Sequence, residues 1–127
     1  MEAVAIVTGL ALLQLFVFAF QVGKMRVKHG VKAPAVSGHE EFERMFRVHM
    51  NTLEQIVIFL PALWLFALYV NPLIAAGLGL LFIIGRFVYR ASYLVDPGKR
   101  SMGFTLGWLP MMALLIGGMI GALLKML

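Results

Sequence analysis

The sequence predicts an all-α integral membrane protein, a bundle of four transmembrane helices in a single domain spanning residues 1–127. Three observations carry this. Apolar residues make up 61% of the chain and its mean hydropathy is +0.92, well above soluble domains. Four apolar runs, about residues 3–22, 48–70, 73–94 and 103–124, reach the roughly 20 residues that cross a bilayer. Basic residues also sort by membrane side. Lys24, Arg26, Lys28, Lys32, Arg44 and Arg47 flank the first loop and Arg86, Arg90, Lys99 and Arg100 the third, whereas Lys125 stands alone at the other end. The positive-inside rule therefore predicts cytoplasmic loops 1–2 and 3–4, with both termini opposite.

The first run starts at Met1-Glu2 without a basic n-region and has no small-residue cleavage site, so it reads as a retained anchor rather than a signal peptide. Gln21, Gly23 and Lys24 close it, and residues 28–34 read as an irregular basic loop. The second helix is expected to start near residue 38, with Ser37 and Glu40 forming a capping box and Glu40, Glu41 and Glu43 at the positive end of its dipole. Pro61 lies inside it, favouring a bend. Asn71-Pro72 ends it in a tight turn, making the second and third spans antiparallel neighbours. Asp96-Pro97-Gly98 breaks the chain again, with Asp96 as N-cap and Pro97 as first residue of the last helix. The pairs Gly103/Gly107 and Gly117/Gly121 have small-xxx-small spacing, suited equally to an oligomer seam or to packing within one subunit.

Composition also narrows the function. The net charge of +5 would suggest nucleic-acid binding in a soluble protein, but here the cations mark membrane topology, so no nucleic-acid partner is expected. There is no cysteine, hence no disulfide, thiolate metal site or cysteine nucleophile, and any thiol chemistry must come from a ligand. His49 has no partner at metal-ligand spacing and His29 and His39 fall in the predicted loop, so no metal is expected. Phosphate loops, Ser-His-Asp patterns and paired carboxylates are absent.

Polar chemistry does enter the membrane in the second span. Arg47, Asn51 and Glu54 stand at i, i+4 and i+7 and share one helix face. Ionisable groups in a bilayer cost ~2.5 kcal/mol or more each, so they face protein or a wet cavity and mark a working site. Arg86, Tyr89 and Tyr93, at i, i+3 and i+7, align along one side of the third span at its basic end, where Arg26 and Arg100 also emerge. An internal Arg47–Glu54 pair that orients helices, and tyrosines serving as interfacial-belt aromatics, are the structural alternatives. Together these residues suit a small anionic ligand carrying an amine, since arginine forks bind carboxylates and Glu54 takes an ammonium or stays paired with Arg47. Arg26, Arg44, Arg90, Lys99 and Lys125 read most simply as snorkelling anchors.

Two segments, residues 47–54 (RVHMNTLE) and residues 85–93 (GRFVYRASY) followed by Pro97-Gly98-Lys99-Arg100-Ser101, resemble the MAPEG family, the membrane-associated proteins of eicosanoid and glutathione metabolism. The resemblance covers essentially the whole chain and is closest in wording to the type-three microsomal glutathione transferase branch, with the leukotriene C synthase branch more distant. It implies a homotrimer of four-helix subunits, with glutathione as co-substrate, no metal, and the site between subunits near the cytoplasmic face. The implied glutathione-binding residues are Arg26, Arg47, Asn51, Glu54, Tyr89 and Tyr93, with Arg100 holding the thiolate as the catalytic residue and Arg86 and His49 in structural or secondary roles. Gln55 and Val27 replace a tyrosine and a second basic residue of the leukotriene C synthase branch, which points to a general transferase or peroxidase. The implied partners are a lipophilic electrophile or hydroperoxide and membrane lipid, in a bacterial inner membrane or an endoplasmic-reticulum or other organelle membrane. The alternatives are a non-catalytic lipid-binding scaffold of the same family and a small transporter, the latter disfavoured by polar groups gathered at one membrane face.

Overall fold

The structure, a computed structural model, describes residues 1–127 as four long helices: α1 (Glu2–His29), α2 (Glu40–Tyr69), α3 (Pro72–Val95) and α4 (Ser101–Met126). All four are long and apolar enough to cross a membrane, as expected of a multi-pass integral membrane protein. α2 and α3 form the middle of the bundle, each packed against both α1 and α4. The larger core cluster includes Val4, Val7, Ala11, Phe59, Leu63, Phe82, Met111 and Leu114, with the Phe59 and Phe82 rings stacked 3.9 Å apart. A second cluster at the basic end joins Phe18, Val22, Val31, Phe42, Met45, Val48 and Tyr89, so the first loop is folded onto the bundle through Val31.

The helix boundaries depart from the sequence reading in three places. α1 continues past Gly23 to His29, because its stop is Gly30, whose left-handed conformation (φ 66°) sends the Gly30 and Val31 N–H groups back to the Arg26 carbonyl. Lys24, Arg26 and Lys28 are thus helical. α2 is capped by His39 rather than Ser37: the His39 Nδ1 accepts the Glu41 backbone N–H at 3.1 Å. Gly38, at φ 147°, separates Ser37 from the helix, and Glu40 is turned forward to Arg44 instead of back to the cap. Finally, Asp96 caps a 3₁₀ turn (Pro97–Lys99) by accepting the Gly98 N–H, and α4 begins at Ser101.

The tight Asn71-Pro72 turn joins α2 to α3 as expected, and the Asn71 side chain in addition caps α3 by accepting the Leu73 and Ile74 N–H groups, with Pro72 at the first helical position. Pro61 lies inside a continuous α2. Arg44 and Arg90 do more than snorkel. Arg44 donates to the Leu94 and Val95 carbonyls, closing the C-terminus of α3, and Arg90 donates to Gln21 at 2.8 Å, tying α3 to α1.

Both glycine pairs pack within the four-helix bundle of one chain. A Cβ added at Gly103 would strike the Tyr89 backbone, one at Gly85 would lie 2.5 Å from the Gly107 nitrogen, and those at Gly117 and Gly121 would lie 2.7 Å from the Phe66 ring and the Tyr69 carbonyl. Because lipid tails are as apolar as the side chains they meet, helices in a bilayer gain cohesion mainly from such close contact. Gly103→Leu is therefore expected to push α4 off α3 at a cost of about 3 kcal/mol or more, read as a lowered midpoint of thermal unfolding in detergent. Gly77→Ala, whose new methyl meets nothing within 4 Å, serves as the control.

Candidate functional site at the basic end of the bundle

The two polar faces meet. Arg86, only 1% exposed, reaches from α3 to α2, where its Nη2 donates to Asn51 Oδ1 at 2.7 Å and to Thr52 Oγ1 at 3.0 Å, and its Nε donates to the same hydroxyl at 3.2 Å. Its guanidinium lies 4.2 Å over the Tyr89 ring, and Tyr89 stacks on Tyr93 at 5.5 Å. This buried cation has no carboxylate within salt-bridge distance; an amide, a hydroxyl and an aromatic face hold it instead.

Arg47 and Glu54 form the outer layer, an ion pair at 3.2 Å two turns apart. About half of each side chain is exposed, so both groups remain free to exchange one another for a ligand. A groove of about 340 Å³ beside them is lined by Glu40, Glu43, Arg44, Arg47, Tyr93 and Pro97. The larger cavities in this chain are mainly apolar, and none of them contains these residues.

Two expected members stand apart. Arg26 does not reach the Arg47–Asn51 face: its Nη1 donates to the Ala35 carbonyl at 2.7 Å and its guanidinium sits 4.7 Å over Phe42, so the first loop occupies it. Arg100 is exposed at the turn before α4 and donates to the carbonyl of the groove-lining Pro97 at 2.8 Å, without a direct bond to Arg47, Asn51 or Glu54. His49 is half-buried on α2 and makes no hydrogen bond to the other site residues.

Thr52 is the member that sequence reasoning missed. It is fully buried, its hydroxyl donates to the Val48 carbonyl at 2.8 Å, and its oxygen accepts twice from Arg86. The signal was its register: Thr52 falls in the stripe Val48, Thr52, Ile56, Phe59 that α2 buries, and a hydroxyl there needs a partner.

The sequence profile of the MAPEG family matches residues 4–120. The chain belongs to this family. Among MAPEG relatives, an uncharacterized protein from Synechocystis sp. is 46% identical over 119 residues, covering 94% of this chain and 87% of the relative. Human microsomal glutathione S-transferase 2 is 43% identical over 113 residues, covering 87% of this chain and 77% of its own length. Leukotriene C4 synthase from Cavia porcellus is 36% identical over 89 residues, 70% of this chain and 59% of the relative. The MAPEG match spans both polar segments, so the inner layer of Asn51, Thr52, Arg86 and Tyr89 and the outer layer of Arg47, Glu54 and Tyr93 lie within the shared region.

Proposed function

We propose that this protein is a membrane-bound glutathione transferase that also reduces lipophilic hydroperoxides with glutathione. The observation that carries the reading is the Arg47–Glu54 pair, exposed to solvent and backed by Asn51 on a rigid support, in a chain whose relatives include proteins named microsomal glutathione S-transferase. Glutathione carries two carboxylates and one ammonium. An arginine fork takes a carboxylate, a glutamate takes the ammonium, and a fixed amide reads a peptide group, so opening the Arg47–Glu54 pair supplies complementary partners at once.

Arg47, Glu54 and Arg100 are exposed at the basic end of the bundle, which fits a homotrimer whose sites form between subunits at the cytoplasmic face. In that assembly the thiolate stands beside Arg100, and an electrophile arrives from the bilayer. Conjugation forms a sulfur–carbon bond and expels the leaving group. In the peroxidase reaction two glutathiones deliver two electrons to the O–O bond, giving an alcohol, water and glutathione disulfide.

The test is purified protein in detergent with an aromatic electrophile and, separately, a lipid hydroperoxide. Glutathione-dependent turnover of both is expected, and Glu54→Gln is expected to raise the KM for glutathione roughly tenfold by removing the ammonium's partner. No turnover of either acceptor would favour the lipid-binding scaffold instead.

A further inference from the structure

The ends of the first loop come together in a way that sequence spacing does not show. His29 is the last residue of α1, His39 caps α2, and Glu41 lies in the first turn of α2. One donor atom from each falls within 4.8 Å of the other two. His29 Nε2 is 3.1 Å from Glu41 Oε2, and the two imidazoles stack 3.5 Å apart. We propose that His29, His39 and Glu41 form a site for a divalent transition-metal ion of the zinc class, which staples α1 to α2 across the loop.

Two imidazoles and a carboxylate are the donors that borderline metals such as zinc select, and three protein ligands leave a fourth position to water. His29 ligates through Nε2, the nitrogen facing the carboxylate; the proton it directs at Glu41 passes through solvent to Nδ1 as the ion takes its place. His39 ligates through Nδ1. That nitrogen now accepts the Glu41 N–H, which keeps the neutral ring's proton on Nε2; metal binding exchanges a peptide N–H for the ion and leaves the tautomer unchanged. Nearly parallel rings, 11° apart, do not aim both lone pairs at one point, so the exposed His39 ring turns as the ion enters.

Lys28 is the group that leaves. Its Nζ lies 3.1 Å and 3.4 Å from the two Glu41 oxygens, and its side chain is 59% exposed, free to swing into water when the ion takes over the carboxylate. The loop gains order at both ends, adding to the grip that the buried Val31 and the Arg26–Ala35 bond already exert.

The experiment uses the full chain without a histidine tag, stripped with a chelator in detergent and titrated with Zn²⁺ by calorimetry, together with trypsin cleavage at Lys32. Saturation at one ion per chain and slower cleavage in the presence of Zn²⁺ are expected. His39→Asn retains an N-cap residue but removes the imidazole, and Glu41→Gln removes the charge; each should weaken Zn²⁺ at least tenfold while far-UV circular dichroism stays unchanged. Absence of saturable binding, or affinity in either variant equal to the parent's, overturns the site.

Discussion

Arg100→Ala is expected to lower kcat for glutathione conjugation by roughly 10²-fold, with a much smaller change in the KM for glutathione. The size follows from what a guanidinium does to a thiol. A free thiol has a pKa near ~8.5, so at neutral pH only a small fraction is thiolate, and a neighbouring fixed cation in a partly desolvated site raises that fraction. A guanidinium keeps its proton and cannot act as a base, so its contribution is electrostatic and water removes the thiol proton. Arg100 stands where such a role is open to it: exposed, at a short turn capped by Asp96, with one bond to the Pro97 carbonyl and no carboxylate partner. Arg100→Lys separates charge from geometry, since an ammonium supplies the field without the fork. The measurement is the pH profile of kcat together with the ultraviolet absorbance of bound thiolate. An alanine variant with unchanged turnover and unchanged thiolate absorbance would remove Arg100 from the chemistry.

The four spans were legible because each is a long apolar run between recognisable breaks, and the Asn71-Pro72 turn between α2 and α3 was legible because its chemistry is local. Boundaries set by tertiary contact were not. α1 overran its expected end because Gly23 adopts the helix without difficulty and only Gly30 takes the left-handed turn. Likewise, nothing in the order of residues says that His39 rather than Ser37 caps α2, since that depends on the conformation of Gly38.

The candidate site divides in the same manner. Helical spacing alone was enough to put Arg47 beside Glu54 and to align Arg86 with Tyr89, as their contacts show. The Asn71-Pro72 turn, by making the two spans antiparallel neighbours, brought the start of α2 to the end of α3, where Arg86 meets Asn51. The Arg26 engagement was invisible because its partner is a loop carbonyl, which has no periodicity to read. If Arg26 brings Nη1 to glutathione, the Ala35 bond must open first. The expected glutathione affinity therefore includes the cost of releasing this part of the loop, on the order of 1 kcal/mol for one exchanged hydrogen bond.

Asn51→Asp is expected to move stability and glutathione binding in opposite directions. The reasoning starts from Arg86, whose side chain carries only donors, so the Asn51 atom 2.7 Å away must be the amide oxygen. With Oδ1 holding Arg86, the NH₂ group is the donor that Asn51 offers a ligand, and through it the residue reads a hydrogen-bond acceptor. Aspartate keeps the oxygen that Arg86 needs and replaces the donor by a second, anionic acceptor. Within the bundle this gives a buried cation its missing counter-charge, and strengthening a neutral hydrogen bond to a charged one is worth about 1 kcal/mol. Toward glutathione it sets one acceptor against another, at a cost of about 1.5–3 kcal/mol or roughly 10–100-fold in affinity. Thermal unfolding in detergent should therefore shift upward by a few degrees while the KM for glutathione rises. A lowered unfolding midpoint would mean that Arg86 is already compensated by the surrounding dipoles. An unchanged KM would mean that the Asn51 amide faces no ligand.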